Sequence, residues 1–411
     1  MQQVIVDSIR ESDKDLRDIN HKIHSNPELG YKEFLAHDNI VALLKSKGIE
    51  VTPHAYGLET SFEATFGRGG RLVVFNVEYD ALPEIGHACG HNLIATCSLA
   101  AFLGVVGVMK QNQHVAGRVR VLGTPAEEGG GGKIKLIDRG AYHGVDACLM
   151  AHPMSGAMFP PQLKNIAGIA YGSCVASAKF RATFSGKPAH AAAAPHEGIN
   201  ALDAAVLAYN GISMLRQQCR PSQRIHGIIL EGGEKPNVIP SRSQMEYNVR
   251  RDTLKETKEL QKRVMQCFEG AAVATGCRLN FEETNNYAEL IPNRTLCAAY
   301  SDYMLELSSP QLPFDTSCDI LESQPPKGSY STDQGNVTQV CPGIHPIYSI
   351  PVDGGAANHT KEFTAAAGTE EAYQRTINAA KGMAATAWKV LTDDAFADEV
   401  RKEFERWRAS N

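Results

Sequence analysis

Eighteen consecutive residues, 92–109, carry no charge and directly follow a cluster of histidine, cysteine and carboxylate side chains. This length approaches the ~20 apolar residues with which a helix crosses a bilayer. The stretch also contains Asn92, Thr96 and Ser98, however, and the side chains before it are of types that bind metal ions. We therefore predict a helix buried inside a globular domain, and we expect no membrane partner.

The composition is that of a globular protein with more than one domain. The chain has 411 residues, of which 43% are hydrophobic and 21% are charged, and this length exceeds what one hydrophobic core usually contains. The formal net charge of −5 and the lack of a basic cluster argue against a nucleic-acid partner. The first residues show no basic region followed by an apolar one, so we expect no secretory signal.

Ten cysteines are spread along the chain without the spacing of a disulfide framework. In a long chain without a secretory signal, we expect reduced thiols and a cytoplasmic location. Most of these cysteines should be small core residues. Cys89 is the exception because histidines and carboxylates surround it in the sequence.

Strands and helices alternate through the first part of the chain. Apolar runs at 61–66 and 72–77 flank a glycine-rich turn, which predicts two strands paired as a hairpin. The same patterns predict further strands at 118–122 and 146–150 and helices at 13–25, 32–47 and 133–139. This alternation indicates an α/β domain with a mixed sheet flanked by helices, and a site along one edge of the sheet.

A different pattern begins near residue 173. It predicts strands at 173–184, 225–230, 243–250 and 277–284 and helices at 200–216 and 256–275. In chain order this is βαββαβ, the pattern of a ferredoxin-like domain. We therefore expect an inserted domain at 173–287 within a catalytic domain formed by 1–172 and 288–411, which ends in a helical tail.

Side chains able to bind metal ions follow several predicted strands and recur near the end of the chain. They are Cys89, His91, Glu127, Glu128, His152 and His359. Each has an ordinary alternative, because paired glutamates often begin a solvated helix, a histidine before proline is often structural, and an isolated cysteine usually lies in a core. It is improbable that all these alternatives hold together. The pattern predicts a metal centre, with two ions if one ligand bridges them.

Glu127 and Glu128 are informative as a pair because they leave the same predicted strand. Consecutive residues of an extended chain point in different directions, so one carboxylate can bind a metal ion while the other faces the water on it. Zinc lowers the pKa of a bound water to about 7, and a nearby carboxylate can accept the proton. The pair therefore predicts a ligand and a base side by side.

Six segments give the chain a resemblance to a known family. They are 78–83 (EYDALP), 86–94 (GHACGHNLI), 123–128 (GTPAEE), 331–337 (STDQGNV), 342–346 (PGIHP) and 358–360 (NHT). Over nearly its whole length the chain resembles the co-catalytic metallopeptidases and amidohydrolases of the aminoacylase and glutamate-carboxypeptidase family. It is most similar to the branch of aminobenzoyl-glutamate hydrolases, amino-acid-conjugate amidohydrolases and β-alanyl-lysine-type dipeptidases, and within it to the dipeptidase-like group.

The resemblance implies two divalent metal ions, with zinc favoured and manganese or cobalt as alternatives. It implies that Cys89 bridges both ions, that His91 and His152 complete one site, and that Glu128 and His359 complete the other. A cysteine at the bridging position separates this branch from relatives with aspartate there.

Two further residues take roles from the same resemblance. Glu127 would be the general base, which activates the attacking water and later protonates the leaving amine. Asp80 would orient one of the metal ligands. Its alternative role is to cap the turn that follows it.

The inserted domain resembles the lid of this family. The segment 185–191 (SGKPAHA) implies that His190 reaches the active site of the neighbouring subunit in a homodimer and polarises the scissile carbonyl. The alternative for His190 is a capping contact before the helix at 200. Asn237 and Arg250 match positions that hold the substrate, and an arginine fork suits a free carboxylate.

The function implied is a metal-dependent amidohydrolase or dipeptidase that cleaves the amide bond of an N-acyl amino acid or dipeptide with a free carboxylate. Two alternatives from other classes remain. The same site could form amides instead of hydrolysing them, or the chain could be a metal-bound scaffold without catalytic activity. The presence of all the ligands together with a base argues against the scaffold.

Overall fold

The computed structural model describes residues 1–159, 166–312 and 327–410. The chain divides into two compact units, the first formed by Met1–Ser173, Leu290–Gly328 and Asn336–Asn411 and the second by Cys174–Glu289 and Ser329–Gly335. The segment 329–335, which the sequence placed in the catalytic domain, groups with the second unit. The Val175 amide donates to the Tyr330 carbonyl over 3.1 Å, and Arg250 donates to the Ser329 carbonyl over 3.2 Å.

Short strands and longer helices make up both units. The strands are β1 (Val51–Pro53), β2 (Phe62–Arg68), β3 (Arg71–Val77), β4 (Gly117–Gly123), β5 (Ala147–Leu149), β6 (His152–Ser155), β7 (Gly168–Ile169), β8 (Ser173–Cys174), β9 (Ala176–Ser185), β10 (Arg224–Glu231), β11 (Arg242–Arg251), β12 (Arg278–Tyr287), β13 (Lys327–Gly328), β14 (Gly343–Ile344) and β15 (Ile347–Ile350). The helices are α1 (Gln2–Glu11), α2 (Asp13–Ser25), α3 (Phe34–Ser46), α4 (His91–Gln111), α5 (Gly132–Asp138), α6 (Ala201–Leu215), α7 (Leu254–Thr275), α8 (Arg294–Glu306), α9 (Gln334–Thr338), α10 (Lys361–Ala367), α11 (Glu370–Thr392) and α12 (Asp394–Ser410).

The first unit is built on a six-stranded mixed sheet with the order β1-β2-β4-β3-β5-β14. Strands β3, β4, β5 and β14 run parallel, whereas β1 and β2 are antiparallel to their neighbours. Val73 and Phe75 of β3 pack into the core with α4, whereas Leu72 and Val74 pack on the other face with Leu136 of α5. This architecture confirms the predicted α/β fold, and it brings the carboxyl ends of the parallel strands to one edge.

The predicted hairpin between the strands at 61–66 and 72–77 is wrong. Both strands form, but β4 lies between them, antiparallel to β2 and parallel to β3. The glycine-rich turn makes room for it, because a Cβ atom on Gly67 would lie 2.3 Å from the Gly117 carbonyl and one on Gly70 would lie 2.2 Å from the Ala116 carbonyl. Arg118 then donates to the carbonyls of the same turn over 3.3 Å.

Helix α4 is the uncharged stretch of the sequence, and it lies in the core of the first unit. It is long and apolar enough to cross a membrane, but 94% of its apolar window is buried inside the structure. It packs against α1, α2, α11 and β3. A Cβ atom on Gly107 would lie 1.9 Å from Ser8 Oγ, so this glycine permits the close approach of α1. The prediction of a buried helix is confirmed.

The second unit is an antiparallel sheet with the order β10-β11-β9-β12, covered by α6 and α7. With the chain order βαββαβ, this is the predicted ferredoxin-like arrangement. Its core contains Phe180, Phe184 and Tyr247, whose rings all contact the ring of Phe268. Strand β10 forms one edge of this sheet.

Candidate metal centre

The loop from β3 to α4 brings Cys89 and the start of α4 toward β6. The loop folds back on itself through paired hydrogen bonds between Leu82 and Gly86. It enters α4 through Gly90, which has a φ of 79°. A Cβ atom there would lie 2.6 Å from Pro153 Cγ, so glycine allows the loop to pack against the start of β6.

One group of ligand atoms comes from Cys89, His91 and His152. One ligand atom from each lies within 4.8 Å of the others. Cys89 Sγ is 3.3 Å from His152 Nε2, and His152 Nδ1 faces the Pro153 carbonyl at 2.7 Å. Nε2 of His152 is therefore the atom that faces the cysteine. Burial lowers the pKa of His152 to about 4, so its imidazole is neutral and able to bind a metal ion near neutral pH.

A second group shares the cysteine and contains Cys89, Glu128 and His359, again within 4.8 Å of one another. Glu128 Oε1 is 3.6 Å from His359 Nε2. His359 has a φ of 67°, in the left-handed region, and its amide donates to the Ala88 carbonyl over 2.8 Å. This hydrogen bond holds an otherwise uncommon backbone conformation beside the cysteine.

The structure thus brings together the five side chains that the sequence named as metal ligands. Their chemistry fits two divalent ions, since a thiolate, imidazoles and a carboxylate are the ligands that zinc prefers. Two buried atoms, His91 Nε2 and Glu128 Oε1, have no hydrogen-bond partner among the described residues, a costly state for a polar group. Ions bound between these side chains would satisfy both atoms.

Asp80 is buried between a ligand and the loop that carries the glutamates. Its Oδ1 is 3.1 Å from His91 Nδ1, and its Oδ2 accepts a hydrogen bond from the Glu128 amide over 2.9 Å. Burial alone would raise the pKa of Asp80, but the neighbouring His91 and the amide donors lower it. Asp80 thus contacts the ring nitrogen of His91 opposite the one that faces the centre, which is a contact suited to orienting a metal ligand.

Glu127 faces the same centre and is only 8% exposed. One oxygen each from Glu127 and Glu128 and a nitrogen of His91 lie within 4.8 Å of one another. Helix α5 begins only at Gly132, where a Cβ atom would lie 1.8 Å from the Pro125 carbonyl. The glycines therefore form a tight loop, and the alternative of a solvated helix start at the glutamate pair is wrong.

Glu33 supports this loop, and the sequence analysis missed it. Its carboxylate accepts hydrogen bonds from Thr60 Oγ1 over 2.7 Å and from the amide of Ala126 over 2.8 Å. Ala126 has a φ of 60°, so the contact holds the left-handed residue just before the glutamate pair. Burial and the charge of Asp80 raise the pKa of Glu33 to about 7. No sequence signal distinguishes Glu33 from an ordinary residue at a helix start.

His345 lies beside the first group of ligands. Its ring centroid is 5.5 Å from that of His152, in an edge-on contact, and neither ring nitrogen has a hydrogen-bond partner within the described ranges. Burial lowers the pKa of His345 far below its usual value. The segment 342–346 drew attention in the sequence, but nothing there indicated which residue faces the centre.

The remaining predicted residues belong to the second unit. His190 is exposed, and its Nδ1 accepts hydrogen bonds from the amides of Ala192 and Ala193 over 3.3 and 3.2 Å. The helix that follows is capped by Asn200 itself, so His190 caps the turn that directly follows it and not that helix. Asn237 lies on the neighbouring segment, where its carbonyl accepts from the Ala191 amide over 3.0 Å. Burial lowers the pKa of Arg250.

Comparisons with known proteins agree with this architecture. Residues 175–275 match the peptidase dimerisation domain of the M20 family. The chain is 43% identical over 412 residues to the Xaa-Arg dipeptidase of Mus musculus. The alignment covers 96% of this chain and 90% of the mouse protein.

Two crystal structures share the fold. The aminobenzoyl-glutamate utilization protein of Klebsiella pneumoniae matches with a TM-score of 0.71 and 18% identity, over 95% of this chain and 99% of that one. A dinuclear metal-binding peptidase of the M20 family from Bacillus subtilis matches with a TM-score of 0.57 and 18% identity, over 89% of this chain and 96% of that one. With its fold, and with 43% identity to the mouse dipeptidase over nearly its whole length, the chain belongs to the M20 family of metal-dependent peptidases and amidohydrolases.

Proposed function

We propose that this metal-dependent hydrolase cleaves the amide bond of a dipeptide or N-acyl amino acid with a free carboxylate. The observation that carries the proposal is the pair of ligand groups that share Cys89, with a further carboxylate beside them. That carboxylate belongs to Glu127, which is buried next to both groups yet belongs to neither. Two ligand sites with an adjacent base form the arrangement that water-driven amide hydrolysis requires.

The residues divide the work of such a reaction. Divalent ions bound here, with zinc favoured by the thiolate and imidazoles, would polarise the scissile carbonyl and lower the pKa of water to about 7. Glu127 accepts the proton of the attacking water on its carboxylate and later delivers it to the leaving amine. Asp80 keeps the ring of His91 in one orientation through the 3.1 Å contact at Nδ1. His190 supplies a donor for the oxygen of the carbonyl group, and Asn237 and Arg250 bind the carboxylate end of the substrate.

The substrate class follows from the relative rather than from the metal centre. The mouse protein is named for dipeptides that end in arginine, and we propose the same class here. A cytoplasmic location is part of the proposal. None of the cysteines in the described part of the chain forms a disulfide, which suits a reducing compartment.

A hydrolysis panel on the metal-free full chain tests the function. Zinc, manganese or cobalt is added to separate samples, and release of the free amino acid is measured from Xaa-Arg, Xaa-Lys and Xaa-Glu dipeptides and N-acetyl amino acids. We expect no turnover without metal, restoration on metal addition, and the highest kcat/KM for Xaa-Arg. Metal binding without turnover of any amide would support a scaffold, and product formation from amines and acyl donors would support amide synthesis.

The second unit offers the surface for a homodimer. Strand β10 is an edge strand with unusually exposed apolar side chains, since Ile228 is 58% and Ile229 is 44% exposed. Helix α6 adds exposed Leu207 and Met214. Apolar edges of this kind are normally covered, because they otherwise promote aggregation. We propose that β10 and α6 pack against their copies in a second chain, which would allow His190 to act on the partner's substrate.

The double variant Ile229→Lys/Leu207→Lys is expected to be monomeric and to lose most hydrolysis while retaining its metal ions. Two buried lysines at a symmetric interface carry a desolvation cost and repel their copies. Mass is measured by light scattering during gel filtration. Leu305→Lys, at a 65% exposed position on α8, serves as the matched control and should remain dimeric. A double variant with the mass of a dimer would contradict the proposed surface.

A further inference from the structure

A buried ion pair adjoins the metal centre and has no role in the reaction described so far. Lys133 Nζ lies 2.5 Å from Glu78 Oε1, and their side chains are 0% and 1% exposed. Burying such a pair costs so much desolvation that apolar side chains of the same volume often give equal stability. Stability is therefore a weak reason for the pair, and its position suggests another one.

The second oxygen of Glu78 faces a metal ligand. Glu78 Oε2 is 3.5 Å from His91 Nε2, which is nearer than Glu128 Oε1 at 3.8 Å. His91 Nε2 is fully buried and has no hydrogen-bond partner in the part of the chain that the structure describes. Two ligand atoms on one zinc ion, with bonds of about 2.0–2.1 Å and tetrahedral angles, lie about 3.3–3.4 Å apart. The separation of Glu78 Oε2 from His91 Nε2 therefore fits two atoms that share an ion.

We propose that Glu78 is a sixth metal ligand, whose Oε2 binds the ion held by His91 while Lys133 holds its Oε1. The inference rests on the dinuclear centre of the proposed function and adds a residue to it. Lys133 pairs with Oε1 and leaves Oε2 on the side of His91 for the ion.

Three variants of the full chain test this role through metal affinity rather than activity. Zinc affinity is measured by competition with a chromogenic chelator, starting from metal-free protein. Glu78→Gln should bind one of the two ions about 10–100-fold more weakly and keep the other unchanged, because a neutral amide replaces an anionic oxygen. Lys133→Met leaves the carboxylate without its buried cation. It should bind zinc at least as tightly as the wild type, although its metal-free form melts at a lower temperature.

Opposite effects of the two substitutions on zinc affinity would distinguish a metal ligand from a purely structural ion pair. If Glu78 and Lys133 only hold the fold together, both variants should weaken zinc binding alike, and that result would overturn the proposal. Glu403→Gln is the matched control, since Glu403 is a buried carboxylate that accepts from the amides of Arg294 and Thr295 at the start of α8. It should lose stability but keep the affinity for both ions.

A cobalt-substituted sample gives a second readout. The Glu78→Gln variant should retain the thiolate-to-cobalt absorption from Cys89 but change the visible bands that report coordination geometry. If Glu78→Gln does not fold, Glu78→Asp, whose carboxylate is one methylene shorter, should show the same selective loss of affinity. Wild-type protein that binds no divalent ion would contradict the metal centre itself. Two ions bound equally well by the wild type and the Glu78 variant would contradict only the role of Glu78.

Discussion

Replacing Glu127 with glutamine is expected to lower kcat by about 10²–10⁴-fold, the usual contribution of a general base, while both metal ions remain bound. Glutamine keeps the shape and the burial of the side chain but cannot accept the proton of the attacking water. The carboxylate of Glu127 belongs to neither of the two ligand groups that share Cys89, so its replacement should leave metal binding by both groups unchanged. The measurements are kcat on the best substrate of the panel and metal content after dialysis.

The neighbouring substitution Glu128→Gln is the matched control, since it makes the same chemical change one residue away. Glu128 Oε1 lies 3.6 Å from His359 Nε2, and this group should lose its ion when the carboxylate is neutral. We therefore expect full metal content and no turnover in one variant, and reduced metal content in the other. A Glu127→Gln variant that retains wild-type kcat, or that loses metal as Glu128→Gln does, would remove Glu127 from the role of base.

The ligands could be predicted from the sequence because each follows a recognisable strand or lies in a compact motif. Parallel strands bring their carboxyl ends to one edge, so residues that follow β3, β4 and β5 must lie near one another. Cys89 and Glu128 are both placed in this way. His359 could be predicted only from its motif, because it follows no strand of the sheet and is held beside the cysteine by a hydrogen bond from its amide to the Ala88 carbonyl.

The order of the strands in the sheet was harder to predict from the sequence than their positions along the chain. The two strands around the turn at 67–70 are close in sequence, and short turns between strands usually join hydrogen-bonded neighbours. Here β4, formed by Gly117–Gly123 much further along the chain, enters between them. The reason for the glycines in the turn appears only in the structure, where their backbone lies against Gly117 at the start of β4 and leaves no space for a Cβ atom. Local patterns do not contain such a long-range contact.

The supporting residues of the centre could not be found in the sequence at all. Lys133 is an ordinary lysine at the start of a short helix until its complete burial against Glu78 is known. Glu33 likewise precedes α3 without any motif, yet it holds the backbone of Ala126. Buried polar side chains are recognised by their partners in space, and those partners are 55 and 93 residues away along the chain.

The Cys89→Ala substitution is expected to remove both metal ions and abolish hydrolysis. Cys89 is the one side chain common to the two ligand groups, so alanine deprives each site of an anionic ligand at once. Without ions, burial and the charge of Glu128 raise the pKa of the Cys89 thiol well above its usual value. A divalent ion reverses this preference and stabilises the thiolate. Metal content after dialysis and hydrolysis of the best substrate are measured together.

Two comparison variants make the result specific to the shared ligand. Cys297→Ala changes another buried cysteine, on α8 within the core of the first unit, and should keep both ions and full activity. Cys89→Asp restores an anion that can bridge two ions and should recover metal binding to a large extent, because carboxylates also suit zinc and manganese. Loss of a single ion in Cys89→Ala would mean that the cysteine serves only one site. The other site would then hold its ion through its histidine and carboxylate ligands without the cysteine.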